Sequence, residues 1–266
     1  MKDYFTYNPG NLPEGSFKIS PSQLSKFFDT TAQWWREHYL NEAPEFEGST
    51  ASELGTCVHA AAAMYFDTKT VDKQAILNYI DSLPASIDKT EIKTQLKPMV
   101  DTLINAFCVR SPMTHSEEFV SHEVLPGIYV AGSIDGYNAT TIFDYKTTSS
   151  KTIPTSFPRA YYFQLMTYAY ILKQQGLDIT TLKLLYITRT IDGGYSDKTG
   201  KKLKDYPSTY GELVHQITDT DWSLIEGCIK LIAESVQAVK SNPELLYLLA
   251  QDYRLKPPPK PILFKD

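Results

Sequence analysis

Two aspartates and a lysine stand close together in the sequence, in a pattern that suits divalent-metal chemistry. Asp135 lies in the segment Gly-Ser-Ile-Asp-Gly, and Asp144 and Lys146 follow in Asp-Tyr-Lys-Thr-Thr. Glu123 lies upstream, in Ser-His-Glu-Val-Leu. Mg²⁺ and Mn²⁺ prefer carboxylate and carbonyl oxygens as ligands. A lysine beside such ions would orient an attacking water or neutralise charge that grows on a phosphate.

Three segments around these residues have the alternating β-branched and aromatic pattern of strands. They run from Phe119 to Leu125, from Ile128 to Asp135 and from Thr140 to Lys146. Turn signals at Pro126-Gly127 and at 136–138 separate them. We therefore predict a hairpin-rich antiparallel sheet here, in which three carboxylates and one lysine converge near strand ends.

An aspartate followed at a distance by Asp-x-Lys resembles the half-motifs of the PD-(D/E)xK nuclease superfamily. Ile134-Asp135 corresponds to the first half-motif, and Asp144-Tyr145-Lys146 corresponds to the second. Ile134 stands where the proline of the motif would be, which is a chemically harmless departure. Chance supplies an Asp…DxK pattern often, so the prediction depends on what else the chain carries.

Three further elements resemble the RecE/lambda-exonuclease-like and RecB-like group of that superfamily. The segment Ile-Ser-x-Ser-x-Leu at 19–24, with aromatic residues after it, is similar to the start of those domains. The segment Gly-x-x-x-His that ends at His59 is similar to an element whose histidine lies by the metal site. Gln164 and Tyr168, on one face of a predicted helix, are similar to the Q-x-x-x-Y motif of the group. The resemblance spans about residues 19–190.

The resemblance implies metal-assisted hydrolysis of phosphodiester bonds. Asp135 would bind one or two Mg²⁺ or Mn²⁺ ions. Asp144 and the backbone carbonyl of Tyr145 would complete the inner shell of ligands. Lys146 would orient the water or stabilise the transition state.

Four residues outside the half-motifs would assist in this site. His59 and Glu123 would ligate or support the metal, and Gln164 and Tyr168 would position groups beside the lysine by hydrogen bonds. Some relatives also bind an iron–sulphur cluster through a C-terminal group of cysteines. The three cysteines of this chain are scattered. We therefore expect buried free thiols and no cluster.

Several polar and basic residues are candidate DNA contacts. Ser22 lies at the start of the first predicted helix, and Lys151 and Arg159 flank the loop after the second half-motif. Lys201 and Lys202 belong to the densest group of lysines in the chain. Solvated loops and an ordinary core-packing helix would show the same residues, so both interpretations remain open.

Composition and charge describe an ordinary globular protein. The chain has 266 residues, with 42% hydrophobic and 21% charged residues. The net charge of −5 argues against a strongly basic nucleic-acid coat protein but does not exclude a nuclease. No apolar run reaches about 18 residues, so we expect no membrane span. The N-terminus lacks an apolar signal region, which favours the cytoplasm, of a bacterial host if the protein is phage-encoded.

The expected fold class is α/β (α+β), with a central mixed β-sheet flanked by helices. Its restriction-endonuclease-like core would follow a helical N-terminal part, all within a single nuclease domain. We expect the helical part at about 19–110, the catalytic sheet and the Q-x-x-x-Y helix at about 117–217, and a helix with a Pro-rich tail at 218–266. Ser20 and Gln23 would form a capping box at the first helix.

Together, the motifs predict a DNA exonuclease that resects ends to expose a single strand for recombination. An endonuclease or a flap-trimming nuclease of the same superfamily is the alternative among enzymes. A catalytically inert DNA-binding subunit and a Ca²⁺-stabilised structural domain are alternatives of other classes. The presence of Asp135, Asp144 and Lys146 together argues against the first, and Lys146 argues against the second. Relatives pass the strand to an annealing protein and some form rings, so such a partner and a homo-oligomer are compatible with the sequence.

Overall fold

A six-stranded mixed sheet forms the centre of the fold. The structure is a computed structural model and describes residues 3–6, 10–43, 48–195 and 199–251. The Pro-rich part of the predicted C-terminal tail, Lys256 to Pro261, lies outside the described residues. The strands are β1 (Phe17–Ile19), β2 (His115–Leu125), β3 (Ile128–Tyr137), β4 (Thr141–Thr148), β5 (Thr181–Thr188) and β6 (Tyr210–Gln216).

Helices cover both faces of this sheet. None of the helices in the described part of the chain combines the length and apolarity needed to cross a bilayer. A π-helical turn at Trp35–Tyr39 and 3₁₀ turns at Pro21–Gln23 and Cys108–Arg110 complete the helical structure. The helices are α1 (Leu24–Asp29), α2 (Thr31–Trp34), α3 (Thr50–Thr68), α4 (Lys73–Ser82), α5 (Lys89–Ala106), α6 (Arg159–Gln174), α7 (Asp219–Ser241) and α8 (Glu244–Leu249).

The two faces of the sheet belong to two separate apolar cores, because successive side chains of a strand point to opposite faces. On β5, Leu182 and Leu184 are buried in the core that includes residues of α6 and α7. Leu185 and Ile187 are buried in the other core, with residues of α3, α4 and α5. The mixed sheet flanked by helices, preceded by a helical N-terminal part, is as the sequence predicted.

The strand pairing is antiparallel in part only. β2 and β3 form a long hairpin, β3 and β4 form a short one, and β6 pairs with β5 along the sheet edge. β4 and β5 are parallel, with α6 as the crossover between them, and β1 is parallel to β3. The antiparallel prediction therefore holds for the hairpins around the motifs, and the whole sheet is mixed.

One edge of β3 has a gap in its pairing. β1 pairs with β3 up to Val130, whereas β4 pairs with it only at Gly136 and Tyr137. Between Val130 and Gly136 no strand in the described part of the chain pairs with this edge, although β2 continues along the other edge. The gap leaves backbone groups for side chains to satisfy.

The first helix differs from its prediction. Ser20 has an extended backbone and makes no side-chain cap, and a 3₁₀ turn precedes α1. The capping box of Ser20 and Gln23 was therefore wrong. The helical segment also breaks at Thr30, whose side chain does not cap the helix that follows. The hydroxyls of Thr30 and Thr31 instead donate to carbonyls four residues earlier. Such side-chain bonds to the backbone compete with a regular helix.

Candidate active site

The separation of β3 and β4 creates the site. The two strands pair only at Gly136–Phe143 and Tyr137–Ile142, so Asp135 and Asp144 are the next residues beyond the last pair. Asp135 Oδ2 accepts a hydrogen bond from the backbone N–H of Tyr145 at 2.7 Å. The Asp135 side chain thus takes the place of a backbone hydrogen bond between the strands, and this hydrogen bond holds the carboxylate in one orientation.

His59 reaches this point from α3. Its Nε2 lies 3.0 Å from the carbonyl oxygen of Tyr145, and its Nδ1 lies 3.4 Å from Asp135 Oδ2. The helix packs closely on β4 at Gly55, where a Cβ would lie 3.4 Å from Thr147 Oγ1. The structure therefore brings together the histidine, the aspartate and the backbone carbonyl that the sequence singled out.

Glu117 completes the group, and sequence reasoning missed it. The ligand atoms of His59, Glu117 and Asp135 all lie within 4.8 Å of one another. Glu117 has a φ of +50°, a left-handed conformation that is uncommon for a residue with a side chain. No sequence pattern indicates that conformation within a strand. The two adjacent glutamates at the start of β2 were nevertheless a signal for a further carboxylate ligand.

Glu123 does not lie in this group. It stands at the far end of β2, opposite Tyr129, and its exposed carboxylate accepts a hydrogen bond from Gly127 N–H at 2.8 Å. Glu117 and Glu123 are six residues apart on an extended strand, about 20 Å. The expected convergence of Glu123 on the site is corrected accordingly, because its side chain caps the β2–β3 turn.

Asp144 and Lys146 form the other half of the site. Asp144 is nearly fully buried, and its Oδ2 lies 2.6 Å from Lys146 Nζ. The Nε2 of Gln164, on α6, donates to Asp144 Oδ1 over a long 3.4 Å. The ammonium of Lys146 also lies 4.7 Å from the centre of the Tyr161 ring, a contact that the sequence did not indicate.

Tyr168 supports the strand rather than the lysine directly. Its hydroxyl donates to the carbonyl oxygen of Ser133 at 2.7 Å, within the gap on the edge of β3. Gly132 makes this approach possible, because a Cβ there would lie 2.9 Å from Tyr168 Oη and 3.1 Å from Pro21 Cδ. Gln164 and Tyr168 thus contact opposite sides of the strand separation, one on β4 and the other on β3.

The two carboxylates differ in their protonation. Burial raises the pKa of Asp144 to about 6, with repulsion from Asp135 adding to the effect and the Lys146 ammonium opposing it. Burial also acts to raise the pKa of Asp135, but the His59 imidazolium and Lys146 outweigh it and lower that pKa. Near pH 6 and without a bound metal, Asp135 is therefore ionised, while Asp144 is protonated in a substantial fraction of the molecules.

The two cationic groups hold their protons strongly. Burial acts to lower the pKa of His59, but Asp135 and Glu117 outweigh it and raise that pKa to about 9. Burial likewise opposes the charge on Lys146, and Asp144 with Asp135 raises its pKa to about 12. Without a bound metal, a protonated histidine thus supplies the positive charge that the carboxylates require.

The residues present fit a hard divalent cation. Glu117, Asp135 and the Tyr145 carbonyl supply oxygens, and His59 supplies a nitrogen. The buried Oδ2 of Asp144 has the Lys146 ammonium beside it but no aligned hydrogen-bond donor among the described residues. The Lys146 ammonium therefore compensates the charge of this oxygen when no metal is bound.

Two of the candidate DNA contacts are engaged in ion pairs. Arg159 pairs with Asp29 and also lies 5.4 Å from the centre of the Phe163 ring. Lys202 pairs with Asp205 at 2.8 Å. Contact between either cation and a phosphate would therefore compete with a carboxylate partner.

The other three candidates are exposed. Ser22 lies on the 3₁₀ turn before α1, and Lys201 lies in the loop between β5 and β6. Lys151, in the loop after β4, lies 4.7 Å from the centre of the Tyr206 ring. A role in binding DNA stays a prediction for all five residues.

The chain belongs to the PD-(D/E)XK nuclease superfamily. The sequence profile of that superfamily matches residues 18–194, which is more than half of the chain and includes both halves of the site. The mixed sheet and flanking helices are those of the restriction-endonuclease-like fold that the sequence predicted. Among curated proteins, none matches this sequence.

One solved structure shows a similar fold at low sequence identity, and two others match with lower scores. A candidate exonuclease from Eubacterium rectale has a TM-score of 0.51 and 17% identity, over 85% of this chain and 82% of that chain. An alkaline exonuclease from Laribacter hongkongensis has a TM-score of 0.37 and 13% identity, over 74% of this chain and 95% of that chain. Its complex with dAMP has a TM-score of 0.34 and 16% identity, over 73% of this chain and 98% of that chain.

Proposed function

We propose that this protein is a DNA exonuclease that uses Mg²⁺ or Mn²⁺ to hydrolyse phosphodiester bonds at DNA ends. One observation carries the proposal: the carboxylates of Asp135 and Asp144, the imidazole of His59 and the ammonium of Lys146 meet where β3 and β4 separate. The end-directed activity is taken from the resemblance of the motifs and from the E. rectale protein of similar fold, which is described as a candidate exonuclease.

Four groups would hold the metal: the side chains of His59, Glu117 and Asp135 and the carbonyl of Tyr145. When bound, the metal supplies Lewis-acid chemistry, which polarises the phosphate and makes a water molecule more acidic. Asp144 would add an oxygen ligand from the opposite side of the strand separation.

Lys146 would act on the reacting atoms. Its ammonium lies beside Asp144, so it can hydrogen-bond an attacking water or a phosphate oxygen without leaving its carboxylate partner. A fixed positive charge at that position would stabilise the charge that develops on the phosphoryl group in the transition state. Gln164 and Tyr168 would serve as positioning residues, since each bonds one of the two strands that carry the carboxylates.

The proposed product is a single strand exposed at a resected end. Annealing proteins of recombination take such a strand as substrate, so they are the class of partner that the proposal implies. End-labelled linear duplex and covalently closed circular DNA would be incubated with Mg²⁺, Mn²⁺ or EDTA. The proposal predicts loss of the linear DNA only, with either metal, and no loss in EDTA. Cleavage of the circle would favour an endonuclease, and binding without hydrolysis would favour an inert subunit.

A further inference from the structure

The loops that follow β4 and β5 form a surface that the proposed reaction does not use. β4 ends at Thr148 and β5 ends at Thr188, and because the two strands are parallel both loops leave the same end of the sheet. Lys146 lies on β4 just before that end. The two loops are therefore neighbours of each other and of the active site.

The ring of Tyr206, in the second loop, has one lysine ammonium from each loop over it. Lys151, from the first loop, has its Nζ 4.7 Å from the centre of the Tyr206 ring, and Lys204, from the second loop, has its Nζ 5.4 Å from it. Tyr206 exchanges two backbone hydrogen bonds with Ile191, each of 2.8 Å. The backbone under the ring is thus fixed, while the two lysine side chains are exposed and long.

The second loop is an antiparallel ribbon with further exposed groups. Isolated bridges join Ile191 to Tyr206 and Tyr195 to Lys202. The side chain of Tyr195 is 70% exposed. The ribbon, which starts at the end of β5, therefore carries exposed aromatic and basic side chains.

The two carboxylates in the described part of the ribbon are turned toward its own atoms. Asp192 accepts a hydrogen bond from Gly194 N–H at 2.9 Å, and Asp205 accepts one from Gly193 N–H at 3.0 Å and pairs with Lys202. The loop at 149–158 contains a lysine and no acidic residue. Among the described residues of the two loops, four exposed lysines at 151, 201, 202 and 204 outnumber the two carboxylates at 192 and 205.

We propose that Lys151, Lys204 and Tyr206 bind single-stranded nucleic acid as it leaves or enters the active site. A base would stack on the Tyr206 ring, and the two lysines would move from the ring to the flanking phosphates. An exposed lysine gains little from an exposed ring, so its displacement by a base costs little. Bases within a duplex are already stacked on each other, so the ring distinguishes a single strand from a duplex.

The role of this surface beside an active site rests on the proposed function, but the test of its binding to a single strand does not. Binding of a fluorescently labelled oligothymidylate and of a labelled blunt duplex would be measured by anisotropy in EDTA, where the site has no metal. Tyr206→Ala should weaken binding of the single strand by about 5- to 100-fold, the loss of one base–aromatic stack. Tyr206→Phe should retain binding because the ring remains, and duplex binding should be nearly unchanged in both variants.

The lysines give a second measurement that does not depend on the ring. Each phosphate contact contributes about −0.7 to the slope of log affinity against log salt for a single strand. Lys151→Gln combined with Lys204→Gln should therefore make that slope shallower by about 1.4. The matched control is Tyr247→Ala, a tyrosine of α8 that is 41% exposed and outside these loops, which should bind as wild type.

Two results would overturn the inference: unchanged single-strand binding by Tyr206→Ala, or equal losses for single strand and duplex. If the surface binds no nucleic acid, the double lysine variant will also show the salt slope of the wild type. Absence of hydrolysis in any metal would overturn the proposed function alone, because the binding measurements involve no cleavage.

Discussion

The carboxylate of Asp135 accepts a hydrogen bond from the backbone N–H of Tyr145, at 2.7 Å, across the gap where β3 and β4 cease to pair. This bond joins the first half-motif to the residue at the centre of the second. It fixes the carboxylate beside His59 and leaves the flanking Asp144 and Lys146 on the side of α6. The strand separation therefore belongs to the site as well as to the fold.

The two glutamates of β2 provide a matched test of the metal group. Glu117→Gln should weaken binding of Mn²⁺ at least 10-fold and reduce hydrolysis, because one charged oxygen ligand is removed from the group. Glu123→Gln, at the other end of the same strand, should leave both unchanged because its side chain caps a turn. Calorimetric titration with Mn²⁺ measures the affinities. Equal effects of the two substitutions would contradict the assignment of Glu117.

Metal binding should release a proton at neutral pH. His59 can ligate a metal only in its neutral form, and its neighbouring carboxylates raise its pKa to about 9 in the metal-free protein. The apparent affinity for Mn²⁺ should therefore rise about tenfold per pH unit between pH 7 and pH 9 and level off above that.

Titration calorimetry at pH 7.5 in buffers of different ionisation enthalpy counts the protons released. We expect about one proton per site for the wild type and none for His59→Asn. Absence of proton release from the wild type would show that His59 does not ligate the metal.

The close contact at Gly132 should make this position intolerant of a side chain. A Cβ there meets Tyr168 Oη at 2.9 Å and Pro21 Cδ at 3.1 Å, so Gly132→Ala should lower the free energy of unfolding by about 1–3 kcal/mol. Gly227, inside α7, has no described neighbour within 4 Å of an added Cβ. Gly227→Ala should raise the free energy of unfolding by about 0.5–1 kcal/mol, since glycine disfavours a helix interior. Denaturant unfolding of both variants tests the pair, and a stable Gly132→Ala would show that the packing is looser than described.

Asp221 should contribute stability that depends on pH. Its side chain caps α7 through Thr218 and accepts hydrogen bonds from Tyr162 and Thr218, which outweigh burial and lower its pKa to about 2. Because the pKa is lower in the folded protein than in the unfolded chain, the contribution is complete above about pH 4 and is lost as the pH falls to about 2. The size of the shift corresponds to about 2 kcal/mol.

Asp221→Asn should therefore lower the free energy of unfolding by about 2 kcal/mol at pH 7 and by much less at pH 2. Asp219→Asn, in the same first turn of α7, is the matched control and should cost about 0.5 kcal/mol through the helix dipole. A pH-independent difference between wild type and Asp221→Asn would show that the hydrogen bonds and not the charge carry the effect.

The sequence predicted those features that local patterns determine. The strands around Asp135 and Asp144 were located within a few residues, and the helix that carries Gln164 and Tyr168 was predicted, because alternating and helical apolar spacing is a local property. The prediction that His59 and Tyr145 lie in one site came from the resemblance of motifs, because 86 residues separate the two in sequence.

Features that depend on unusual backbone conformation could not be predicted. Glu117 joins the site because of a left-handed φ within a strand, and no periodicity indicates such a residue. The break at Thr30 arises where threonine hydroxyls bond to preceding carbonyls, although the apolar spacing continues through it. Glu123 was chosen because it lies on the predicted strand from Phe119 to Leu125, whereas the observed strand begins earlier, at His115.

The most direct test of the central claim compares two lysines on neighbouring strands of the sheet. Lys146 pairs with Asp144 in the site, and Lys183, on β5, pairs with Glu212 at 2.9 Å away from it. The rate of hydrolysis of linear duplex would be measured under single-turnover conditions with Mg²⁺ and with Mn²⁺. Lys146→Met should lower the rate by about 100-fold or more while Lys183→Met cleaves as wild type does. Cleavage by Lys146→Met at the wild-type rate would contradict the claim that this site performs the reaction.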